Sequence, residues 1–134
     1  GSGFSSDKSW LPIPPEHHHL SANLQEADAD SLLNHYRDSL QFRSRHREFA
    51  TGDIGFLGDD ENVLTFERSL QGTTIFIAIN MSETQKSVAA PSDGYLQLES
   101  PGAGGWLEGQ MLHLHPYGAF FARQQTTAKT GESA

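Results

Sequence analysis

Between Ser31 and Arg47 the apolar residues return at helical spacing. Leu33, Tyr36 and Leu40 stand at i, i+3 and i+7, Leu32 and Phe49 widen the stripe, and Phe42 falls to one side. Asp28-Ala29-Asp30-Ser31 leads into this stripe and supplies an N-cap, with Asp30 or Ser31 as the candidate. A short side-chain oxygen at that position accepts from N–H groups that the first turn leaves unpaired. Arg37, Arg43, Arg45 and Arg47 occupy the middle and last turns, the last three where cations suit the negative end of the helix. The spacing predicts one helix over 30–49.

Past Thr51-Gly52 the period changes to two. Val63–Arg68 alternates, and Thr74–Asn80 is β-branched and nearly all apolar, as a central strand is. Leu70-Gln71-Gly72 between them reads as a hairpin turn. Shorter strands are expected at Ser87–Ala90, Tyr95–Leu98 and Gln110–His115, and a last one, Tyr117–Arg123, is expected to pair with its predecessor across Pro116. Upstream, Trp10-Leu11-Pro12-Ile13-Pro14-Pro15 is stiff and extended, because proline fixes its own φ and restricts its predecessor. The fold class that follows is α+β by content: one N-terminal helix, then an antiparallel, Greek-key-like β-sandwich of five to seven strands. Residues 1–29 are expected as an extended loop, 51–124 as the sandwich and 125–134 as a disordered tail.

Composition narrows the function classes. The 134 residues suffice for one domain with a core, and 13 glycines with six prolines suit many turns. The net charge of −8, with few and scattered cations, argues against nucleic acid and against an anionic membrane as partners. No cysteine is present, so disulfides and thiolate metal sites are excluded; the compartment stays open, with the cytoplasm slightly favoured. Gly1-Ser2-Gly3 reads as a remnant of cloning rather than as a signal peptide.

The order of features resembles the C-terminal part of α-glucosidases and oligo-1,6-glucosidases in the α-amylase family of glycoside hydrolases. The resemblance is carried by Gly3-Phe4-Ser5, Trp10-Leu11-Pro12, Ser31-Leu32-Leu33-Asn34-His35-Tyr36-Arg37 with Leu40 and Arg43, and Thr51-Gly52-Asp53. It continues through Val63-Leu64-Thr65-Phe66-Glu67-Arg68, Ile79-Asn80-Met81-Ser82 and Leu114-His115-Pro116-Tyr117-Gly118-Ala119. The resemblance implies that the helix is the eighth of a (β/α)₈ barrel, that residues 4–29 end its last long loop, and that residues 51–124 are the C-terminal sandwich. It also implies that the catalytic carboxylates lie upstream, since barrel active sites stand at the C-terminal ends of the strands. The implied partner is that missing barrel, with a homodimer through the exposed helix face as a second expectation. A related glucosyl transferase or isomerase, of the trehalose synthase type, is the rival parent.

The residues themselves offer little chemistry. Retaining glycosidases need two carboxyl groups about 5 Å apart on a rigid frame. Asn34-His35-Tyr36-Arg37-Asp38 begins like a catalytic Asn-His-Asp segment but lies in the helix and lacks the aspartate at its third place. Glu26, Asp28 and Asp30 read as capping and solvation, and Asp59-Asp60-Glu61 as a turn. His17-His18-His19 reads as solvent-facing, and His113 with His115 shares one strand face without an evident third ligand. No serine sits in a nucleophile elbow, and Gly102-Ala103-Gly104-Gly105 reads as a loop rather than a phosphate cradle. No catalytic residue, metal site or cofactor is therefore expected. The one alternative is a carbohydrate-binding platform for α-glucans from Trp10, Tyr95, Trp106 and Tyr117, with Trp106 its best member.

Overall fold

The computed structural model describes residues 10–58, 60–91 and 94–125. The chain divides into two compact units that meet in sequence between Phe42 and Arg43.

In the first unit, a 3₁₀ segment, Pro15–Leu20, leads into helix α1, Ala22–Ala27, and then helix α2, Leu32–Arg45, whose last residues open the second unit. The expectation of an extended loop here is corrected for residues 15–27. Pro15 sits at the first position of the 3₁₀ segment, where its fixed φ suits a helical start and its missing N–H is no loss. Ser31 is the N-cap of α2: its Oγ accepts from the Asn34 N–H at 3.3 Å, and its carbonyl accepts from the His35 N–H at 2.9 Å. Gln25 holds the corner, since its Oε1 accepts from the Leu33 N–H and its carbonyl from Ser31 Oγ at 2.6 Å. These contacts satisfy N–H groups that a bare helix start leaves open. Leu32, Tyr36 and Leu40, one turn apart on α2, remain exposed.

The single helix expected over 30–49 is corrected, since the helical path breaks at His46. Helix α3, Glu48–Thr51, follows, and then strands β1 (Asp53–Leu57), β2 (Val63–Leu70), β3 (Thr73–Asn80), β4 (Lys86–Ala89), β5 (Tyr95–Gln97), β6 (Gly105–Glu108), β7 (Met111–Leu114) and β8 (Ala119–Gln124). They form two antiparallel sheets, five-stranded β1-β2-β3-β8-β5 and three-stranded β4-β7-β6. Few helices and two antiparallel sheets make this an α+β, sandwich-like domain, with eight strands among the described residues. The two strands not expected, β1 and β6, are short and bear glycine: Gly55 in Asp53–Leu57, and Gly105 at the head of β6 after Gly102-Ala103-Gly104. The expected hairpin between β2 and β3 is present, with Gln71 and Gly72 both at positive φ, 50° and 83°, as a two-residue turn requires.

The core lies between the sheets. Val63, Phe76, Ala78, Phe120 and Ala122 from the large sheet meet Leu112 and Leu114 from the small one. On the opposite face of the large sheet Ile75 and Ile77 are also fully buried, and α3 packs against β2 and β3. That explains why Thr74–Asn80 is nearly continuously apolar: β3 is covered on both faces.

The expected pairing of the last strand with its predecessor is corrected. β8 pairs with β3 and β5, and β7 pairs with β4 and β6 in the other sheet. His115-Pro116-Tyr117-Gly118 is a crossover between sheets, closed by the Gly118 N–H donating to the His115 carbonyl at 2.9 Å, with Tyr117 at a φ of 55°. There Gly118 passes so close to Gly104 that a Cβ on it would stand 2.3 Å from the Gly104 carbonyl oxygen. Asn80 locks the same corner from beneath. Its amide donates to the carbonyls of Thr84 (2.7 Å) and His115 (2.9 Å), and its Oδ1 accepts from the N–H and the hydroxyl of Ser82.

Candidate functional site

Three places gather chemically capable side chains. The first is the break between α2 and α3. Glu48 is buried and pairs with Arg123 at 3.3 Å. Arg68 donates from Nε to the Glu48 carbonyl (3.1 Å) and from its terminal nitrogen to the Phe49 carbonyl (3.3 Å). Sheet register brings this about: Arg68 opposes Ile75 on β3, and Ile75 opposes Arg123 on β8, so the two guanidinium groups flank α3 from one row. His46 Nδ1 lies 3.1 Å from Arg123, and burial, then the Arg123 charge, lowers the imidazole pKa from its usual 6.5. Neutral His46 thus accepts from the guanidinium. The arrangement is a clamp on α3, in which Arg123 Nε is buried without a hydrogen-bond partner. The sequence reading gave the arginines to the helix end and missed Glu48, and the one available signal was an acid standing directly after a run of cations.

The second place is the outer face of β4-β7-β6. Ser87, His113 and Trp106 are register partners across it. The Trp106 indole stacks on His113 with centroids 5.0 Å apart and planes 22° off parallel, and His115 meets it at 5.1 Å and 45°. Ser87 Oγ lies 2.8 Å from His113 Nδ1, and Glu108 Oε2 lies 3.5 Å from His113 Nε2. This serine–imidazole–carboxylate row is invisible in the sequence, since only strand register joins residues 26 positions apart. Acyl transfer needs donors fixed around a bound carbonyl, whereas here the imidazole is covered by an indole on an outer sheet face.

The third place is a cleft of about 470 Å³ between β1–β2 and β4, lined by Leu57, Thr65, Phe76, Val88 and Pro91 among others. Its acid, Asp60, uses Oδ1 to accept from the N–H groups of Asn62 and Val63 and so shapes the turn before β2. Among the described residues Glu48 is the one buried acid.

The remaining sequence candidates disperse. Asn34 staples the helix start, donating to the carbonyls of Gln25, Glu26 and Asp28. Glu26 pairs with Arg37 at the surface, 2.7 Å apart. Asp28 Oδ1 accepts from the Asp30 N–H. His17, His18 and His19 are exposed on the 3₁₀ segment. Among the described residues no three His, Cys, Asp or Glu side chains converge as a metal-ion site. Asp59 lies outside the described residues. The four aromatics do not assemble into one platform: Tyr95 packs on Phe76 inside the sandwich and donates to Glu67, while Tyr117 stands exposed on the crossover. Trp10 belongs to the first unit and is 93% exposed. No helix among the described residues is long and apolar enough to cross a membrane.

No protein-family model matches the sequence. A probable α-glucosidase of Rhizobium meliloti is 36% identical over 121 residues, which are 90% of this chain and 22% of that protein. An α-glucosyl transfer enzyme of known crystal structure superposes with a TM-score of 0.82 at 31% identity, over 92% of this chain and 23% of its own. Its homologues are α-glucosidases and oligo-1,6-glucosidases. An oligo-1,6-glucosidase of Parageobacillus thermoglucosidasius is a further relative, 24% identical over 83 residues, or 61% of this chain and 15% of that protein. The chain thus spans about a fifth of the length of its Rhizobium meliloti relative.

Proposed function

We propose that this chain is the C-terminal accessory domain of an α-glucosidase-type enzyme, which covers and stabilises a catalytic (β/α)₈ barrel and carries no catalytic group itself. The observation behind this reading is the asymmetry of coverage: nearly all of this chain matches about 22% of its α-glucosidase relative. The exposed row Leu32, Tyr36 and Leu40 on α2 supports it, because an apolar helix face left in water marks an interface. On this reading the helix is the eighth of the barrel, and the parent hydrolyses α-glucosidic bonds of oligosaccharides by a retaining, two-carboxylate mechanism. Transfer of the glucosyl group instead of hydrolysis would change residues of the barrel, not of this chain.

The test is complementation. A parent enzyme truncated ahead of Ser31 is expected to lose thermal stability and activity, and to regain both when this chain is co-expressed. An unchanged melting temperature after truncation overturns the covering role. Turnover of a nitrophenyl α-glucoside by the purified chain, free of host enzyme, overturns its inertness. Separated from the barrel, the chain is expected to pair with a second copy through the α2 row. Light scattering of the wild type and of a Leu32→Ser/Leu40→Ser variant reads this out: dimer for the first, monomer for the second.

A further inference from the structure

The outer face of β4-β7-β6 carries an aromatic surface for which the fold has no internal use. Inward positions on these strands belong to Leu107, Leu112 and Leu114, which meet the core. Trp106 points the other way and is 38% exposed. Its indole is nevertheless held firmly, stacked on His113 and braced by His115. Ser87 in turn fixes the His113 ring through Nδ1. A large flat side chain is thus immobilised before any ligand arrives, so binding costs little of the ordering entropy that a loose side chain would lose.

The rim is polar. The Glu108 carboxylate is well exposed beside His113, and the exposed His115 imidazole lies against the indole at a tilt. A neutral pyranose fits such a surface: its C–H face stacks on the indole, and its hydroxyls donate to the carboxylate and exchange hydrogen bonds with the imidazole. The net charge of −8 disfavours an anionic ligand at the same place. We infer that Trp106, with Glu108 and His115, forms a binding site for a glucosyl unit of an α-linked oligosaccharide. The choice of α-linked glucose rests on the function proposed above; the choice of a neutral sugar rests on the platform alone.

The experiment is a titration of the full chain with maltotriose, followed by amide and indole proton–nitrogen correlation spectra. Saturable shifts are expected for the Trp106 indole N–H and for Ser87, Glu108 and His113, with the Trp10 indole unmoved. Trp106→Ala is expected to weaken binding about tenfold or more, and Trp106→Phe, which keeps a flat ring, by less. Glu108→Ala alters an exposed side chain, leaves the fold intact and is expected to weaken binding about threefold. Silence at Trp106 up to the solubility limit of the sugar, or shifts centred elsewhere, overturns the site. Equal response to cellotriose overturns the α-linked assignment. Failure of the covering role is read separately, from barrel complementation by the Trp106→Ala variant and by wild type alike.

Discussion

Asn80 shows how one side chain can decide whether a fold closes. Its four hydrogen bonds tie β3, the turn at Ser82–Thr84 and the crossover at His115, and the side chain is almost wholly buried. Asn80→Ala removes all four hydrogen bonds at once and leaves the Ser82 N–H without its acceptor. A loss of about 3 kcal/mol is expected in urea unfolding, well above the loss from a surface substitution. Gly118 is constrained by space rather than by hydrogen bonds. A methyl group there meets the Gly104 backbone, not a movable side chain, so Gly118→Ala is expected to depress the melting temperature sharply. In the sequence Asn80 reads merely as the end of a strand and Gly118 as part of the last strand, Tyr117–Arg123. Neither role is local: both arise where segments distant along the chain cross.

Among the elements, the strongly periodic ones are legible in the sequence, and the short ones are not. α2 and the β2–β3 hairpin follow from spacing and from Gln71-Gly72, because each presents a whole apolar face or a turn with a required φ. β1 and β6 have too few residues and too much glycine for a pattern to emerge; their existence depends on partners supplied by register. The pairing of β8 is illegible for the same reason, since Pro116 marks a reversal without saying which sheet receives the chain. The Ser31 cap is legible, and Ser31→Ala is expected to cost α2 about 1 kcal/mol, seen as faster amide exchange in its first turn.

The α3 clamp adds a pH dependence at this scale. Folding lowers the His46 pKa, through burial and Arg123 first, with Arg45 acting in the same direction and Glu48 against it. The unfolded chain therefore binds the extra proton more readily than the folded one. The His46 contribution is whole above pH 6.5 and is lost as pH falls from there through the lowered folded value. Denaturant midpoints are expected to decline over that window, and His46→Gln, which keeps an acceptor for Arg123, is expected to flatten the decline.

On the scale of the whole molecule, chemistry is sparse and geometry abundant. Asp28 and Asp60 serve turns, Glu26 a surface pair and Glu48 the Arg123 clamp, while His113 and His115 pack on Trp106. What distinguishes the candidate face of the small sheet is the Trp106–His113 stack. Residue identity singled out Trp106 from the sequence, but the imidazoles beneath it and the serine behind them appear only once strands are in register. A parent enzyme carrying Trp106→Ala is expected to keep its turnover of short glucosides and to retain longer α-glucans less well on an affinity gel.

The locked corner at Asn80 also bears on where such a domain can be made. Asn80-Met81-Ser82 spells an acceptor triplet for N-linked sugar, a modification ordinarily confined to surface loops. Once folded, the domain hides that amide, so an oligosaccharyl transferase can reach it only on the nascent strand. A glycan added there occupies the nitrogen that must bind Thr84 and His115. Secretion through a yeast endoplasmic reticulum is expected to yield two populations, an unmodified folded one and a glycosylated one that never folds.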